Sequence, residues 1–288
     1  MSTATDAKRL NARDWLAIFK SSGKEFLADD CMGLSQQVAY SSLLAFFPAM
    51  IFLIAFLDLI GAYGALQEFV EPVAPKSVTS IINQLQRDTG SASLVLVALG
   101  IFGALWAGSG AMSSVVKAVN RAYDRDETRA IWKVRLISLV LVLASATVLA
   151  GILLLIILGG KLGDAIAARA NLGDAFTWFW NIARWPIAFT VVLLLFAFIY
   201  YLAPNHDERR WRWISAGSLV GSLMWLVLSG LFALYTSFSS SYSRTYGSLA
   251  GGIILLLWLN YSAWAVLFGA ELNSELERRR GERASRRP

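Results

Sequence analysis

Residues 136–158 read LISLVLVLASATVLAGILLLIIL, twenty-three positions without a single charge. A helix needs about 20 mostly apolar residues to cross the hydrocarbon core of a bilayer. This run is too long and too uniformly apolar for the face of a soluble helix, so it sets the frame for the rest of the chain. Five further stretches meet the same test, at 43–63, 94–116, 186–203, 214–236 and 247–268. The expected fold class is therefore all-α, a polytopic membrane protein with six transmembrane helices and additional short amphipathic or interfacial helices. Composition agrees: 56% of the 288 residues are apolar, 16% are charged, and mean hydropathy is +0.54. A soluble globular domain carries about 25% charged residues.

Lys and Arg placement predicts the orientation. The segment before the first span carries five, the 117–135 connection six, the 204–213 connection three and the C-terminal tail six. The opposite side has only Lys76, Arg87, Lys161, Arg169, Arg184 and Arg244. This bias puts both termini in the cytoplasm. It also accounts for the net charge of +6 without nucleic acid as a partner. The organisation read from the sequence is a cytoplasmic amphipathic segment at 1–33, a six-helix domain at 34–275 and a basic tail at 276–288. No secretory signal is recognised ahead of the spans, because the first 42 residues lack a short apolar region and cleavage site.

The connections hold finer detail. Val78, Ile81, Ile82 and Leu85 follow helical spacing and predict a short amphipathic helix after the first span. Residues 163–185 read as two short helices broken at Asn171-Leu172-Gly173. Trp178, Trp180 and Trp185 are placed at the outer interface, where indoles are favoured. Trp15, Ile18 and Phe19 mark an amphipathic helix on the inner surface.

Catalytic chemistry finds little support. The single histidine, His206, lies in an inner connection, far from the mid-span Ser109, so a serine triad cannot assemble. One Cys and one His do not make a zinc site. Asp124, Asp126 and Glu127 sit among Arg121, Arg125 and Arg129, the pattern of a salt-bridged loop. No Gly-rich phosphate loop occurs. Accordingly, no catalytic residue, metal or cofactor is expected.

The second span carries a stripe of small residues, Gly100, Gly103, Ala107, Gly110 and Ser114. Gly217-x-x-x-Gly221 and Gly247-x-x-x-Gly251 repeat the idea in the last two spans. Such stripes let helix backbones approach closely in lipid. Trp106, Trp225 and Trp258 fall near the middle of three different spans, with Asn260 at similar depth. A buried indole N–H needs an acceptor. Pro48 interrupts the first span and predicts a kink. Gln37 and Tyr40 form a polar approach to it, and Asp58 lies near its outer end. Together Gln37, Tyr40, Pro48, Asp58, Trp106, Trp225, Trp258 and Asn260 are the candidate lining of a cavity between spans one, two, five and six. Arg278, Arg279, Arg280 and Arg283 are candidate contacts to anionic lipid. Asp58 and Glu271 have no settled role at this point, and self-association into a homo-oligomer is left open.

Four blocks carry a family resemblance: QVAYSSLLAFFPAMIFLIAF (37–56), LWAGSGAMSSVVKAVNRAYDRDETR (105–129), WISAGSLVGSLMWLVLSGLFALYTSF (213–238) and YGSLAGGIILLLWLNYSAWAVLFGAELNSEL (246–276). They resemble the YihY/BrkB family of bacterial inner-membrane proteins, over about Leu34 to Glu275. The resemblance implies six spans with cytoplasmic termini. Members once carried the label ribonuclease BN, regarded as a misassignment, and others are described as transporters or linked to envelope lipids. It supplies no catalytic residues. The positions that match its motifs include Gln37, Tyr40, Pro48, Trp106, Asn120, Tyr123, Arg129, Trp225, Tyr246, Gly247, Trp258 and Glu271. Two function classes follow. One is a transporter or flippase-like protein for a lipid or amphipathic small molecule. The other is a non-transporting membrane scaffold or regulator of envelope assembly.

Overall fold

The computed structural model describes residues 11–59, 94–157, 166–169, 173–205, 214–238 and 250–285. Seven helices are assigned: α1 (Ala12–Ala28), α2 (Cys31–Leu59), α3 (Leu94–Ala122), α4 (Ile131–Ile157), α5 (Gly173–Leu202), α6 (Ala216–Phe238) and α7 (Ala250–Ser285). No strand occurs among the described residues. Helices α2 to α7 each hold a stretch long and apolar enough to cross a membrane, six in all. The all-α, six-span expectation therefore holds.

The bounds differ from the sequence reading, each for a local reason. The first span was placed at 43–63, with a polar lead-in from Leu34, but α2 begins at Cys31. Asp30 takes a left-handed φ of 52°, and its carboxylate accepts the Gly33 amide at 3.3 Å, capping the helix earlier. A Cβ at Gly33 would lie 2.5 Å from Asp30 Oδ2, so a larger residue there would displace the capping carboxylate. The fourth span was placed at 186–203, yet α5 runs unbroken from Gly173 through Pro186. A proline inside a membrane helix is tolerated when neighbouring groups re-satisfy the freed backbone. Pro186 takes the usual amide donor away from the Ile182 carbonyl, and on the next turn the Thr190 hydroxyl donates to the Pro186 carbonyl at 2.8 Å. Trp178 and Trp185 thus belong to a spanning helix, and both are exposed. Pro48 likewise leaves α2 a single helix. The connection between α3 and α4 is only 123–130, so Lys117, Arg121, Lys133 and Arg135 stand on helices instead of in a loop. The helix expected at 78–85 and the break at 171–172 lie outside the described residues.

Small residues set the closest helix contacts. Gly100 abuts α2, where a Cβ would be 3.0 Å from the Phe52 Cα, and Gly103 faces Pro48. Ser41 and Ser114 hydroxyls meet at 3.1 Å across the same pair. Helices α3 and α4 are registered by a Ser113–Ser138 hydrogen bond of 3.0 Å and by Val142 against Gly108. The Tyr200 hydroxyl donates to the Val266 carbonyl at 2.8 Å and ties α5 to α7.

One end of the bundle carries both ends of the described chain, and we call it the terminal face. Burial concentrates there, at Cys31, Val116, Val119, Ala122, Ala203, Ala270 and Leu272. Amphipathic α1 lays its apolar face on α7: Ile18 is fully buried and clusters with Leu272 and Leu276. The halves of α3 and α6 farther from the terminal face show Val95, Leu99, Phe102, Val227, Leu231 and Leu234 exposed.

Candidate functional site

Helices α6 and α7 run antiparallel and are joined by a crossed pair of indole hydrogen bonds. Trp225 Nε1 on α6 donates to Ser262 Oγ on α7 at 3.0 Å, and Trp258 Nε1 on α7 donates to Ser229 Oγ on α6 at 3.2 Å. Each helix contributes Trp-x-x-x-Ser, which places both side chains on one face. The two rings meet edge to face, 6.2 Å apart at 63°. The acceptor that a buried indole N–H needs is in both cases a serine, Ser262 for Trp225 and Ser229 for Trp258.

Asn260 lies beside this pair on α7. Its Oδ1 atom is buried without a hydrogen-bond partner, and so is Nε1 of Trp264, one turn farther along. Asn260, Trp264, Leu267 and Glu271 share helical spacing and form one stripe. At the terminal end of that stripe, Glu271 accepts a hydrogen bond from the buried Cys31 thiol at 3.3 Å.

Trp106 stands apart from Trp225 and Trp258. It is 64% exposed on α3, stacks with Phe102 at 6.1 Å, and lies under the Arg135 guanidinium of α4 at 4.6 Å. Gln37 and Tyr40 are exposed on α2, and Pro48 faces Gly103. The Asp58 side chain lies outside the described residues. Of the tail arginines, Arg278 pairs with Glu275 and, at 3.4 Å, with Glu25. Arg279 Nε is 2.5 Å from Glu275 Oε1. The side chains of Arg280 and Arg283 are outside the described residues.

A second constellation closes the terminal face. Glu127 accepts from Asn120 Nδ2 at 2.8 Å and from the Arg129 guanidinium at 2.5 and 2.7 Å. Arg129 also donates to the Ala203 carbonyl at 2.8 Å, where it neutralises the C-terminal end of α5. Asn120 Oδ1 accepts the Asn205 amide at 2.7 Å. Burial works against the Glu127 charge, but the Arg129 and Asn120 hydrogen bonds and the Arg129 charge outweigh it and hold this carboxyl below its ordinary range. Asp29 moves the other way. Burial pushes its carboxyl up, with Arg121 at 3.1 Å opposing and Asp124 and Glu25 adding to the rise. A polar cavity of about 310 Å³ opens here, lined by Lys117, Asn120, Arg121, Asp124, Arg125, Asp126 and Glu127. Among the described residues, no group of three or more His, Cys, Asp or Glu is placed to hold a metal ion.

With this geometry fixed, the comparisons are decisive for lineage. The family model described as virulence factor BrkB matches residues 22–288. The chain belongs to the BrkB family. Its similar relatives include the Bacillus subtilis protein YfkH, named ribonuclease-like, 32% identical over 250 residues, covering 85% of this chain and 90% of YfkH. A UPF0761 membrane protein of Chromohalobacter salexigens is 29% identical over 287 residues, covering 94% of this chain and 67% of the relative. The UPF0761 membrane protein azo3165 of Azoarcus is 28% identical and covers 92% of this chain, which spans 64% of azo3165. No solved structure matches the chain. Within this BrkB chain, the motif positions Asn120 and Arg129 belong to the terminal-face network, Trp225 and Trp258 to the crossed indole pair, and Glu271 to the Cys31 contact.

Sequence reasoning missed four participants. The Trp-x-x-x-Ser repeat in both helices was legible and would have named Ser229 and Ser262. Asn273, which accepts the Gly217 amide at 2.9 Å, gave no signal beyond being polar in an apolar block. Arg135 was counted only as a topology charge.

Proposed function

We propose that this chain is an integral membrane transporter or flippase-like protein for a lipid or amphipathic small molecule. In this reading it sits in the bacterial inner membrane with both termini in the cytoplasm, its partners are membrane lipids and it is not an enzyme. The observation that carries the proposal is the orphaned pair on α7, Asn260 Oδ1 and Trp264 Nε1, an acceptor and a donor one turn apart. Leaving such groups bare in hydrocarbon costs several kcal/mol each. A polar group arriving in one conformation of the bundle would satisfy both. The exposed apolar faces of α3 and α6 support the same reading, since they offer a surface along which an acyl chain can lie.

The test is translocation in proteoliposomes of the full chain, read by protection of a fluorescent lipid from an impermeant reductant. Wild type should accelerate exchange between leaflets. Asn260→Leu keeps the branching and the number of heavy atoms and removes the amide, so it should slow exchange while thermal stability in detergent is kept or raised. No acceleration by wild type would hand the chain to the scaffold reading.

A further inference from the structure

Arg135 is the feature that bundle packing does not explain. An arginine near a span end ordinarily snorkels, carrying its charge back to water along its own apolar stem. Arg135 does the reverse. The Ser113–Ser138 bond and the Gly108–Val142 contact set the register of α3 against α4, and they put the Arg135 backbone nearer the terminal face than Trp106. The offset is roughly two helical turns or more. Its side chain nevertheless reaches away from that face. Nη2 donates to the Trp106 carbonyl at 2.9 Å, the guanidinium lies over the Trp106 ring at 4.6 Å, and Nη1 would be 3.7 Å from a Cβ on Gly110.

The partners found there do not match the charge. The Trp106 carbonyl is already shared with the Ser109 hydroxyl, at 2.9 Å. No carboxylate pairs with Arg135 among the described ion pairs. The guanidinium is only half-buried, and the ring beneath it is exposed. Glycine at 110 keeps the space in front of it free. A guanidinium presents a planar fork that suits a phosphate or carboxylate. From Trp106 toward the opposite face, Phe102, Leu99 and Val95 form a continuous exposed stripe spaced by three and four residues, each more than 60% exposed.

We infer that Arg135 and Trp106 form a binding station for the anionic headgroup of a lipid-like amphiphile, drawn below the membrane surface, with its acyl chains along the exposed face of α3. This deepens the transport reading by naming the substrate class. The station itself is tested by binding, so the two can fail separately.

The test uses the full chain in phosphatidylcholine vesicles that carry a trace of phosphatidylglycerol with a photoactivatable acyl chain, with cross-links mapped by mass spectrometry. Labelling is expected on α3 between Val95 and Trp106. It should fall roughly tenfold in Arg135→Gln, as expected for losing one charge-assisted pair. Unlabelled phosphatidylglycerol should compete, whereas phosphatidylcholine and sodium phosphate should not. The competition arm needs no variant, so it decides the matter even if Arg135→Gln does not fold. Failure of unlabelled phosphatidylglycerol to compete better than phosphatidylcholine, or undiminished labelling in folded Arg135→Gln, would overturn the station. Competition by sodium phosphate would overturn the amphiphile. Specific labelling in a protein that moves no lipid would leave the station standing and remove transport; lipid movement without labelling would do the opposite.

Discussion

Gly217 and Gly269 bring the backbones of α6 and α7 into direct contact: a Cβ on Gly217 would lie 2.0 Å from the Gly269 carbonyl oxygen, and one on Gly269 2.6 Å from that of Gly217. The obstacle on both sides is main chain, which cannot swing away. Gly217→Ala should therefore separate the two helices and destabilise the protein by about 2–3 kcal/mol. Gly230→Ala on the same helix meets nothing within 4 Å and should be neutral or slightly stabilising. Unfolding in a mixed-detergent titration of the two variants measures the difference.

The crossed indole pair yields a coupling experiment. Trp225→Phe and Ser262→Ala each remove one end of the same hydrogen bond, and a double-mutant cycle should return about 1 kcal/mol of interaction. Trp225→Phe combined with Ser229→Ala, which takes the acceptor from the other indole, should couple less. Equal coupling in both cycles would mean that the rings, not the hydrogen bonds, hold α6 to α7.

Glu127 predicts an acid-side weakness. Its folded carboxyl titrates below its unfolded value, so its contribution is complete above the ordinary carboxylate range and is lost as pH falls through the folded value. Below about pH 5, where an ordinary Glu begins to protonate, the wild type should lose more thermal stability than Glu127→Gln, which cannot titrate, whereas between about pH 7 and about pH 5 the two should run parallel. Asp29 has the opposite sign. Its folded carboxyl titrates above its unfolded value, so the protonated form is favoured and its contribution fades as pH rises through that range. Asp29→Asn should therefore narrow any gain in stability seen on mild acidification. Parallel slopes for all three proteins would contradict both assignments.

Orientation can be read with thiols. Cys31 is fully buried, so background labelling should be low. Cysteines introduced at Lys76 and Ala170 should react with an impermeant maleimide in intact cells, and one at Asp126 only after lysis. Reaction at Asp126 from outside would invert the orientation.

Catalysis is tested at the connection between α3 and α4. Purified protein should show no nuclease activity that survives contamination controls, and Asp124→Asn with Asp126→Asn should change none. A robust activity abolished by that pair in a folded protein would make the polar cavity beside Asn120 an active site.

The six spans were legible because lipid imposes a length and a composition that a chain must write out in full, as residues 136–158 do. The small-residue stripe was legible for the same kind of reason, and Gly100 and Gly103 do face α2. Helix ends were harder. The cap at Asp30 depends on one side-chain bond, and α5 continues through Pro186 as a single helix; hydropathy registers neither. Partner choice was harder still. Depth placed Trp106, Trp225 and Trp258 together, whereas rotation about each helix axis sends Trp106 toward α4 and the other two toward each other. A single sequence carries depth along a helix far better than direction around it.

Helix α7 is one rod of 36 residues, from the orphaned Asn260 through the apolar seam with α1 to the arginine tail. At 1.5 Å per residue it is about 54 Å long, well beyond a bilayer core of about 30 Å. Asn260 and Arg278 are about 27 Å apart along it. A tilt of ten degrees pivoting at the amide would sweep the arginine by roughly 5 Å and would drag α1 along, since Glu25 and Ile18 ride on the same shaft. On the transport reading the tail would act as a mechanical pointer, turning occupancy deep in the bilayer into a displacement in the water outside it.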